Sequence, residues 1–286
     1  MKVRAYAKVN LALDVVRRRE DGFHDLEMIM APIFLHDLIL VDPIYHDPRI
    51  EIEANSKIIP LDDRNIVYKV AKLLIDRYNI PHGVRIKIYK HIPMQAGLVG
   101  GSADGAAVLR AMNELFHLNL SLDRLAQLGD EVGSDIPFCI YQQFAFVQGK
   151  GENLEFFDTD IDYKLLLVKP KKGVSTKQSF TTLNLETCAH PNCREMMQAL
   201  INRDDQTFLN CLGNSLEEPS FKLVPEIKKV KDDLIELGFD GVLMSGSGSC
   251  VFGLTKDEKL LEKAHETLKN KYPFVLRTRF KDKNEK

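Results

Sequence analysis

Apolar and charged residues alternate in two short segments near the start of the chain. In VRIKIYK, at 84–90, Val and Ile are separated by Arg and Lys, and IEIEA at 50–54 repeats this pattern. A period of two predicts strands of a sheet with one face in water. The segment 66–78 differs, because its apolar residues fall at helical spacing and Asn65 precedes it as a helix cap. Strands and helices therefore mix already in the first part of the chain.

The rest of the chain continues this mixture, without the strict strand–helix–strand rhythm of a doubly wound parallel sheet. That favours an α+β fold. Ser121 and Gly133 are placed to begin and to end one of the helices. The further elements predicted are helices over 106–116, 121–133, 226–238 and 258–272, and strands over 163–170, 242–245, 250–254 and 274–280.

The domain organisation has few markers in the sequence. A length of 286 residues suits one large domain or two joined domains. No Pro/Ser linker, low-complexity tract or internal repeat marks a boundary. We predict two lobes, over 1–160 and 161–286, which share a cleft.

Composition excludes several classes of protein. The 39 Lys and Arg nearly balance the 41 Asp and Glu, which does not favour a nucleic-acid partner. No apolar run approaches the roughly 20 residues that a membrane-spanning helix needs. The N-terminal segment 1–15 has no long uncharged core and is not a secretory signal. Five cysteines without framework spacing predict free thiols in a reducing compartment, which we expect to be the cytoplasm.

A glycine-rich stretch directly precedes the predicted helix at 106–116. MQAGLVGGSADG, at 94–105, contains four glycines and a serine. The first N–H groups of a helix lack intrahelical partners, and with the helix dipole they form an anion site. Glycine lets backbone approach a ligand closely, so successive N–H groups can surround a phosphate. No lysine follows Gly101, so this is not a Walker A loop. We predict a phosphate-binding loop; the alternative is a tight turn that serves packing.

The segment AKVNLALDV places Lys8 and Asn10 on alternate positions of a predicted strand, so both point to one face. Val9, Leu11 and Leu13 would then occupy the other face. Taken alone, a face with Lys and Asn is typical of a solvent-exposed surface.

Two more segments have both a structural and a functional interpretation. Asp135 stands between the predicted helix end and a proline, where a cap or turn residue is common. A nearby lysine would keep its carboxylate ionised, able to accept a hydroxyl proton. MSGSGSC at 244–250 is either a hairpin turn or a backbone wall against a phosphate or substrate, and the sequence does not separate these.

Four stretches, in this order, resemble the motifs of the GHMP small-molecule kinases. They are AKVNLALDV at 7–15, IPMQAGLVGGSADGAAVL at 92–109, GSDIPFCI at 133–140 and LMSGSGSCVFGL at 243–254. Each is weak alone, but four in this order are highly specific, and the resemblance covers nearly the whole chain. The resemblance implies a two-lobed α+β fold of the GHMP-kinase type, with ATP and substrate in the cleft between the lobes.

The resemblance also implies roles for individual residues. Lys8 and Asp135 match the catalytic pair of the family. Asn10 would contact the substrate or help to order the catalytic pair. Phe23 and His24 match an aromatic–His pair that recognises cytosine, and Phe180 would cover the second face of the base. Ser102 is the protein group expected to touch Mg²⁺. The segment matching the ATP-phosphate motif comprises Pro93, Met94, Gln95, Ala96, Gly97, Leu98, Val99, Gly100, Gly101, Ser102 and Ala103.

The sequence departs from the family pattern at several positions, among them four in or near the expected site. Gln95 and Val99 stand where small residues are usual, and a β-branched residue at 99 would be strained if φ is positive there. Phe23 replaces a tyrosine and keeps only the stacking face. Gly105 replaces an alanine, at an expected cost of about 0.5–1 kcal/mol in helix stability.

The activity implied is ATP-dependent phosphorylation of the 2-hydroxyl of CDP-linked methylerythritol, in non-mevalonate isoprenoid precursor biosynthesis. The expected cofactors are ATP and Mg²⁺, and the expected partner is this small molecule rather than nucleic acid or membrane, with the chain a monomer or weak homodimer. The alternatives are a kinase for mevalonate, phosphomevalonate or homoserine, an ATP-consuming decarboxylase, and a non-catalytic ligand sensor on the same fold. Retention of both Lys8 and Asp135 argues against the sensor.

Overall fold

The computed structural model describes residues 1–283 and 285. Its strands are β1 (Lys2–Arg18), β2 (His24–Ile44), β3 (Ile50–Ala54), β4 (Gly83–Tyr89), β5 (Ala145–Gly149), β6 (Asn153–Phe156), β7 (Lys164–Lys169), β8 (Gly213–Asn214), β9 (Gly241–Met244), β10 (Val251–Thr255) and β11 (Phe274–Arg279). Its helices are α1 (Ile66–Arg77), α2 (Gly100–Leu115), α3 (Leu122–Asp130), α4 (Ile136–Tyr141), α5 (Thr176–Thr182), α6 (Cys193–Asn202), α7 (Asp205–Asn210), α8 (Glu217–Leu223), α9 (Glu226–Glu236) and α10 (Glu258–Leu268).

The strands form two sheets. The larger has the order β3-β4-β2-β1-β8, and β5 extends it by pairing with β2 and β6. Its ladders are antiparallel except for β3 with β4 and β1 with β8. The smaller sheet has the antiparallel order β11-β7-β10-β9. Mostly antiparallel sheets with helices confirm the α+β prediction.

Strand β1 is buried on both faces, so the expectation that Lys8 and Asn10 mark a solvent-exposed face is wrong. Lys8 is 4% exposed and Asn10 is 1% exposed. A register shift in the β1–β2 ladder lies between Asn10 and Ala12. A bulge of this kind reverses which face the following residues occupy. Val9 consequently packs in one core cluster, whereas Leu13 lines the cavity described below.

Helix starts agree with the caps read from the sequence. Asn65 Oδ1 accepts a hydrogen bond from Val67 N (3.1 Å) at the start of α1, and Ser121 caps α3 in the same way. Helix α3 ends at Asp130 rather than at Gly133, because the chain turns before α4 begins at Ile136. This turn contains Asp135.

Gly105 allows α2 to approach its neighbours closely. An added Cβ would lie 2.7 Å from Ile66 Cγ2 and 3.5 Å from Ile136 Cδ1. Alanine would gain about 0.5–1 kcal/mol of helix propensity but would force Ile66, which lines the cavity, to move. Packing therefore offsets the propensity cost that the sequence suggested.

Contacts cross the expected boundary at 160/161. Strand β8, from the second half of the chain, pairs with β1, and Phe280 forms a bridge with Ile33 of β2. The division into lobes over 1–160 and 161–286 stays a prediction. Over the described ranges, no helix is both long enough and apolar enough to cross a membrane.

Candidate active site

A cavity of about 1610 Å³ opens between β1, the glycine-rich loop and the turn that joins β9 to β10. Residues from distant parts of the chain line it. The predicted site residues among them are Lys8, Asn10, Phe23, His24, residues 93–102, Asp135 and Phe180.

Ala103 is the one predicted site residue that is absent from this lining, as far as the described residues show. It is 2% exposed and belongs to a hydrophobic core cluster. Its amide donates to Val99 O (2.9 Å), which is the first hydrogen bond of α2. The geometry gives Ala103 a packing position rather than one that faces a ligand.

Every second residue from 95 to 99 in the glycine-rich loop has the positive φ of left-handed backbone. Gln95, Gly97 and Val99 have φ of 50°, 73° and 54°. Val99 also has ψ of 28°, so this β-branched residue is in the strained region. At Gly97 a Cβ would lie 1.9 Å from Ser245 O, so a side chain has no room there. Backbone strain of this kind costs about 1–3 kcal/mol and is concentrated at functional sites.

The N-terminus of α2 faces the cavity. Gly100, Gly101 and Ser102 line the cavity and precede the first intrahelical hydrogen bond. Helix α2 has no acidic residue in its first turn and no side-chain cap from Val99. Free amides and the positive end of the helix dipole therefore meet at one point, which is suited to an anion.

Lys8 is held between β1 and the glycine-rich loop. Its Nζ donates to Asn10 Oδ1 (2.5 Å) and to Gly97 O (2.8 Å). Burial lowers the pKa of Lys8, and the charge of Asp135 opposes this shift. Ser245 completes the junction, because its hydroxyl donates to Gly97 O (3.0 Å) and accepts from Asn10 N (3.2 Å).

Asp135 occupies the N-cap position of α4, but its side chain makes no capping hydrogen bond. The carboxylate is half-buried and lines the cavity. It is also the strongest favourable charge acting on Lys8. The fold thus brings both predicted catalytic residues to the cavity that the α2 N-terminus faces.

Three aromatic side chains contribute to the lining. Phe23 lies in the β1–β2 turn and is 61% exposed, with Lys150 Nζ 5.2 Å from its ring centroid. His24 stacks on Phe180, with centroids 5.0 Å apart and planes at 27°. Burial and then the charge of Arg18 lower the pKa of His24, which favours the neutral ring. Phe180 therefore lies against His24, and its role beside a bound base stays a prediction.

Comparison with known proteins identifies the family of this chain. The model described as "GHMP kinases N terminal domain" matches residues 65–143, and "GHMP kinases C terminal" matches 196–273. The 4-diphosphocytidyl-2-C-methyl-D-erythritol kinase of Bacillus cytotoxicus is 42% identical over 267 residues, covering 93% of this chain and 92% of that protein. The chain belongs to the 4-diphosphocytidyl-2-C-methyl-D-erythritol kinase family of GHMP kinases.

Solved structures agree with this GHMP kinase assignment. A 4-(cytidine 5'-diphospho)-2C-methyl-D-erythritol kinase superposes with a TM-score of 0.84 at 33% identity, covering 99% of this chain and 100% of the other. A homoserine kinase from Cytophaga hutchinsonii reaches 0.76 at 17% identity, covering 98% and 95%. The second likeness shows the shared fold alone.

The turn at 246–248 confirms the hairpin interpretation of MSGSGSC, and contact with a phosphate or substrate stays a prediction. The turn joins the antiparallel strands β9 and β10, and its three residues also line the cavity. Asn214 holds this turn in place, because its Nδ2 donates to Met244 O and Gly246 O, both at 2.8 Å.

Several other residues that line the cavity of this GHMP kinase were not predicted from the sequence. Arg18, Lys150 and Lys177 add positive charge to the lining. Thr176 Oγ1 lies 2.8 Å from Ser247 Oγ and joins the start of α5 to the β9–β10 turn. Single basic residues in polar segments look like ordinary surface positions, so no pattern in the chain distinguishes them.

His190, in the segment CAHPNC, connects the loop at 183–190 beside the cavity to Asp14 of β1. His190 Nδ1 lies 2.7 Å from Asp14 Oδ1, and Nε2 lies 2.9 Å from Leu185 O and 3.5 Å from Cys188 Sγ. Only the protonated ring can donate to both oxygens. The described residues contain no cluster of three or more metal-ligating side chains.

We expect His190 to make acceptor binding dependent on pH. The carbonyl of Leu185, and next Asp14, raise the pKa of His190. Both hydrogen bonds of His190 are thus present below the ordinary histidine pKa of about 6.5. The paired arrangement is lost as pH rises through the raised pKa. Because residues 183–186 line the cavity, we expect KM for the acceptor to rise about two- to fivefold over that range, as for an exposed ion pair.

Steady-state KM against pH for wild type and His190→Gln tests this expectation. At low pH the variant should have a higher KM for the acceptor than wild type. Its KM should not rise further as the pH increases. His265→Gln, on α10, serves as the control and should behave as wild type. Identical pH profiles for wild type and His190→Gln would show that the contact does not order the loop.

Proposed function

We propose that this chain transfers the γ-phosphoryl group of ATP to the 2-hydroxyl of 4-diphosphocytidyl-2-C-methyl-D-erythritol, in non-mevalonate isoprenoid precursor biosynthesis. The observation that carries the proposal is the meeting of Lys8, Asp135 and the α2 N-terminus in one cavity. The relatives that share 42% identity are named for the same acceptor. The cavity volume of about 1610 Å³ leaves room for a nucleotide and a second ligand.

Asp135 orients the acceptor hydroxyl and takes its proton. The carboxylate has no capping role to occupy it, and it lines the cavity. A positioned base of this kind contributes about 10²–10⁴-fold to a rate. Lys8 lines the same cavity, where its charge offsets negative charge on the phosphoryl group.

The loop amides hold the triphosphate. Residues 93–102 line the cavity, and the N–H groups from 94 to 102 bind the triphosphate oxygens together with the dipole of α2. In phosphoryl transfer the protein acts mainly by positioning and electrostatic stabilisation. Gly97 O is fixed by Lys8 and Ser245, so the loop is coupled directly to the catalytic pair.

The residues that line the cavity are compatible with a magnesium ion that is bound mainly by the phosphates of the nucleotide. Mg²⁺ keeps several waters and needs only one or two protein ligands besides phosphate oxygens. Ser102, half-buried at the start of α2 and in the lining, offers a hydroxyl there. When bound, the ion neutralises charge on the ATP phosphates. Ser102 would hold it, and Asp135 remains free to act as the base.

Phe23 and His24 recognise the cytosine of the acceptor, with Phe180 beside them. The exposed Phe23 ring offers a stacking face, and a neutral His24 can form a hydrogen bond with the base edge. Asn10, which anchors Lys8, lines the cavity near the acceptor.

Phe23→Ala should weaken acceptor binding by about 1–3 kcal/mol, the usual contribution of base stacking, with ATP binding near normal. Calorimetric titration of each ligand measures both affinities. Tyr45→Ala removes an aromatic side chain of similar exposure that packs on His82 and does not line the cavity. It should leave both affinities unchanged. Equal loss of both affinities in Phe23→Ala would contradict the cytosine assignment.

A panel of acceptors with labelled ATP tests the function itself. We expect transfer to the CDP-linked acceptor and none to mevalonate, phosphomevalonate or homoserine. Release of carbon dioxide would indicate the decarboxylase alternative, and ligand binding without turnover would indicate a sensor. Transfer to another acceptor at equal or greater kcat/KM would overturn the proposal.

We further propose that this kinase works in the cytoplasm, without nucleic acid, as a monomer or weak homodimer. The five free cysteines, four of them buried, support a reducing compartment.

A further inference from the structure

A buried lysine between two carboxylates lies beneath the glycine-rich loop. Lys90 directly follows β4, and its Nζ donates to Asp104 Oδ2 (2.7 Å) and to Asp37 Oδ2. The side chains of Lys90, Asp37 and Asp104 are 7%, 0% and 5% exposed. Buried charges persist only when they are paired and hydrogen-bonded, so this cluster needs a structural or functional reason.

The two carboxylates are not equally satisfied. Asp37 Oδ1 accepts from the amides of Ile92 (2.8 Å) and His91. Asp104 Oδ1 is buried and has no hydrogen-bond partner among the described residues. Burial raises the pKa of Asp104 well above its usual range, whereas Lys90 lowers it and Asp37 raises it further. The cluster therefore depends on the single positive charge of Lys90.

The cluster closes the base of the loop. His91 and Ile92 lie just before the glycine-rich loop, and Asp104 lies just past the first turn of α2, which follows it. Lys90 thus links the two ends of the loop to each other and to Asp37 of β2. The link is tight, because a Cβ at Gly100 would lie 3.2 Å from Lys90 Nζ.

None of the three charged residues is part of the cavity lining, within the described ranges. They can affect a ligand only through the backbone they hold. Loss of the Lys90 charge would leave two buried carboxyl groups with no cation between them, and both would lose their hydrogen bond to Nζ. The N-terminus of α2 and the start of the loop would then move apart.

We propose that Lys90, with Asp37 and Asp104, positions the loop so that its amides keep the spacing that a nucleotide phosphate requires. The proposal rests on the assignment of this loop to ATP under the proposed function. It concerns positioning residues, since none of the three touches the cavity. Displacement of amides by about 1 Å is enough to cost up to 10²-fold in rate.

Calorimetric titration of ATP and of the CDP-linked acceptor into Lys90→Met tests the proposal. We expect ATP affinity to fall about tenfold or more, as for misplaced binding groups, while acceptor affinity changes less than about twofold. Lys90→Arg, which keeps the charge, should recover part of the loss. Lys87→Met is the matched control, because Lys87 lies on the same strand in an exposed pair with Glu53.

Asp104→Asn decides the outcome if Lys90→Met does not fold. It keeps the size and an acceptor oxygen but replaces a charge-assisted hydrogen bond with a weaker one. We expect about threefold weaker ATP binding with unchanged acceptor affinity. Wild-type ATP affinity in the folded variants, or equal loss for both ligands, would overturn the proposal. A wild-type protein that binds ATP but does not phosphorylate the CDP-linked acceptor would instead contradict the proposed function.

Discussion

Asp135→Asn is expected to lower turnover by about 10²–10⁴-fold, the range for a positioned base, while ATP still binds. The amide has nearly the same shape as the carboxylate but cannot accept the proton. Asp135 makes no capping hydrogen bond to α4, so its replacement leaves that helix without a lost cap. The loss should therefore appear in kcat and only weakly in the affinity for ATP.

Steady-state kinetics together with ATP titration separate these effects. Asp232→Asn is a suitable control, because Asp232 pairs with Lys228 on the exposed face of α9. Its kcat should equal that of wild type. If Asp135→Asn retained wild-type turnover, Asp135 would lose its role as the base.

Lys8→Met is expected to lower turnover by about 10²–10³-fold, comparable to the loss of one group that stabilises transition-state charge. The methionine removes the charge beside Asp135. It also leaves Asn10 Oδ1 and Gly97 O without the Lys8 hydrogen bonds. An unsatisfied buried group costs about 1–3 kcal/mol, so the free energy of unfolding should fall as well.

Chemical denaturation and kinetics of Lys8→Met should be measured alongside Lys72→Met. Lys72 lies on the exposed face of α1 in a pair with Asp76, and its replacement should affect neither quantity strongly. Lys8→Met with lowered stability but undiminished kcat would show that Lys8 supports the loop without acting on the reaction.

The parts of the site that lie within one continuous segment could be predicted from the sequence. The glycine-rich loop, its position before a helix and the strain at Val99 follow from local residue types. Asn65 and Ser121 cap their helices as predicted, because capping needs only a few neighbouring residues. The meeting of Lys8 and Asp135 came instead from the resemblance to a family, since nothing in either segment specifies the other.

Features that depend on long-range packing were missed. A single register shift after Asn10 moved Leu13 to the cavity side, and a period of two cannot reveal such a bulge. Burial of both faces of β1 results from the cores on either side of its sheet. Asp37, Lys90 and Asp104 come from three separate segments, so no spacing in the chain joins them.

The position of the transferred phosphate tests the central claim most directly. Wild-type protein, ATP, Mg²⁺ and the CDP-linked methylerythritol would be followed by ³¹P NMR. Convergence of Asp135, Lys8 and the loop amides on the acceptor predicts ADP and one new phosphomonoester at the 2-hydroxyl, with the diphosphate of the acceptor intact. ADP with inorganic phosphate alone, or a phosphate at another hydroxyl, would contradict the account.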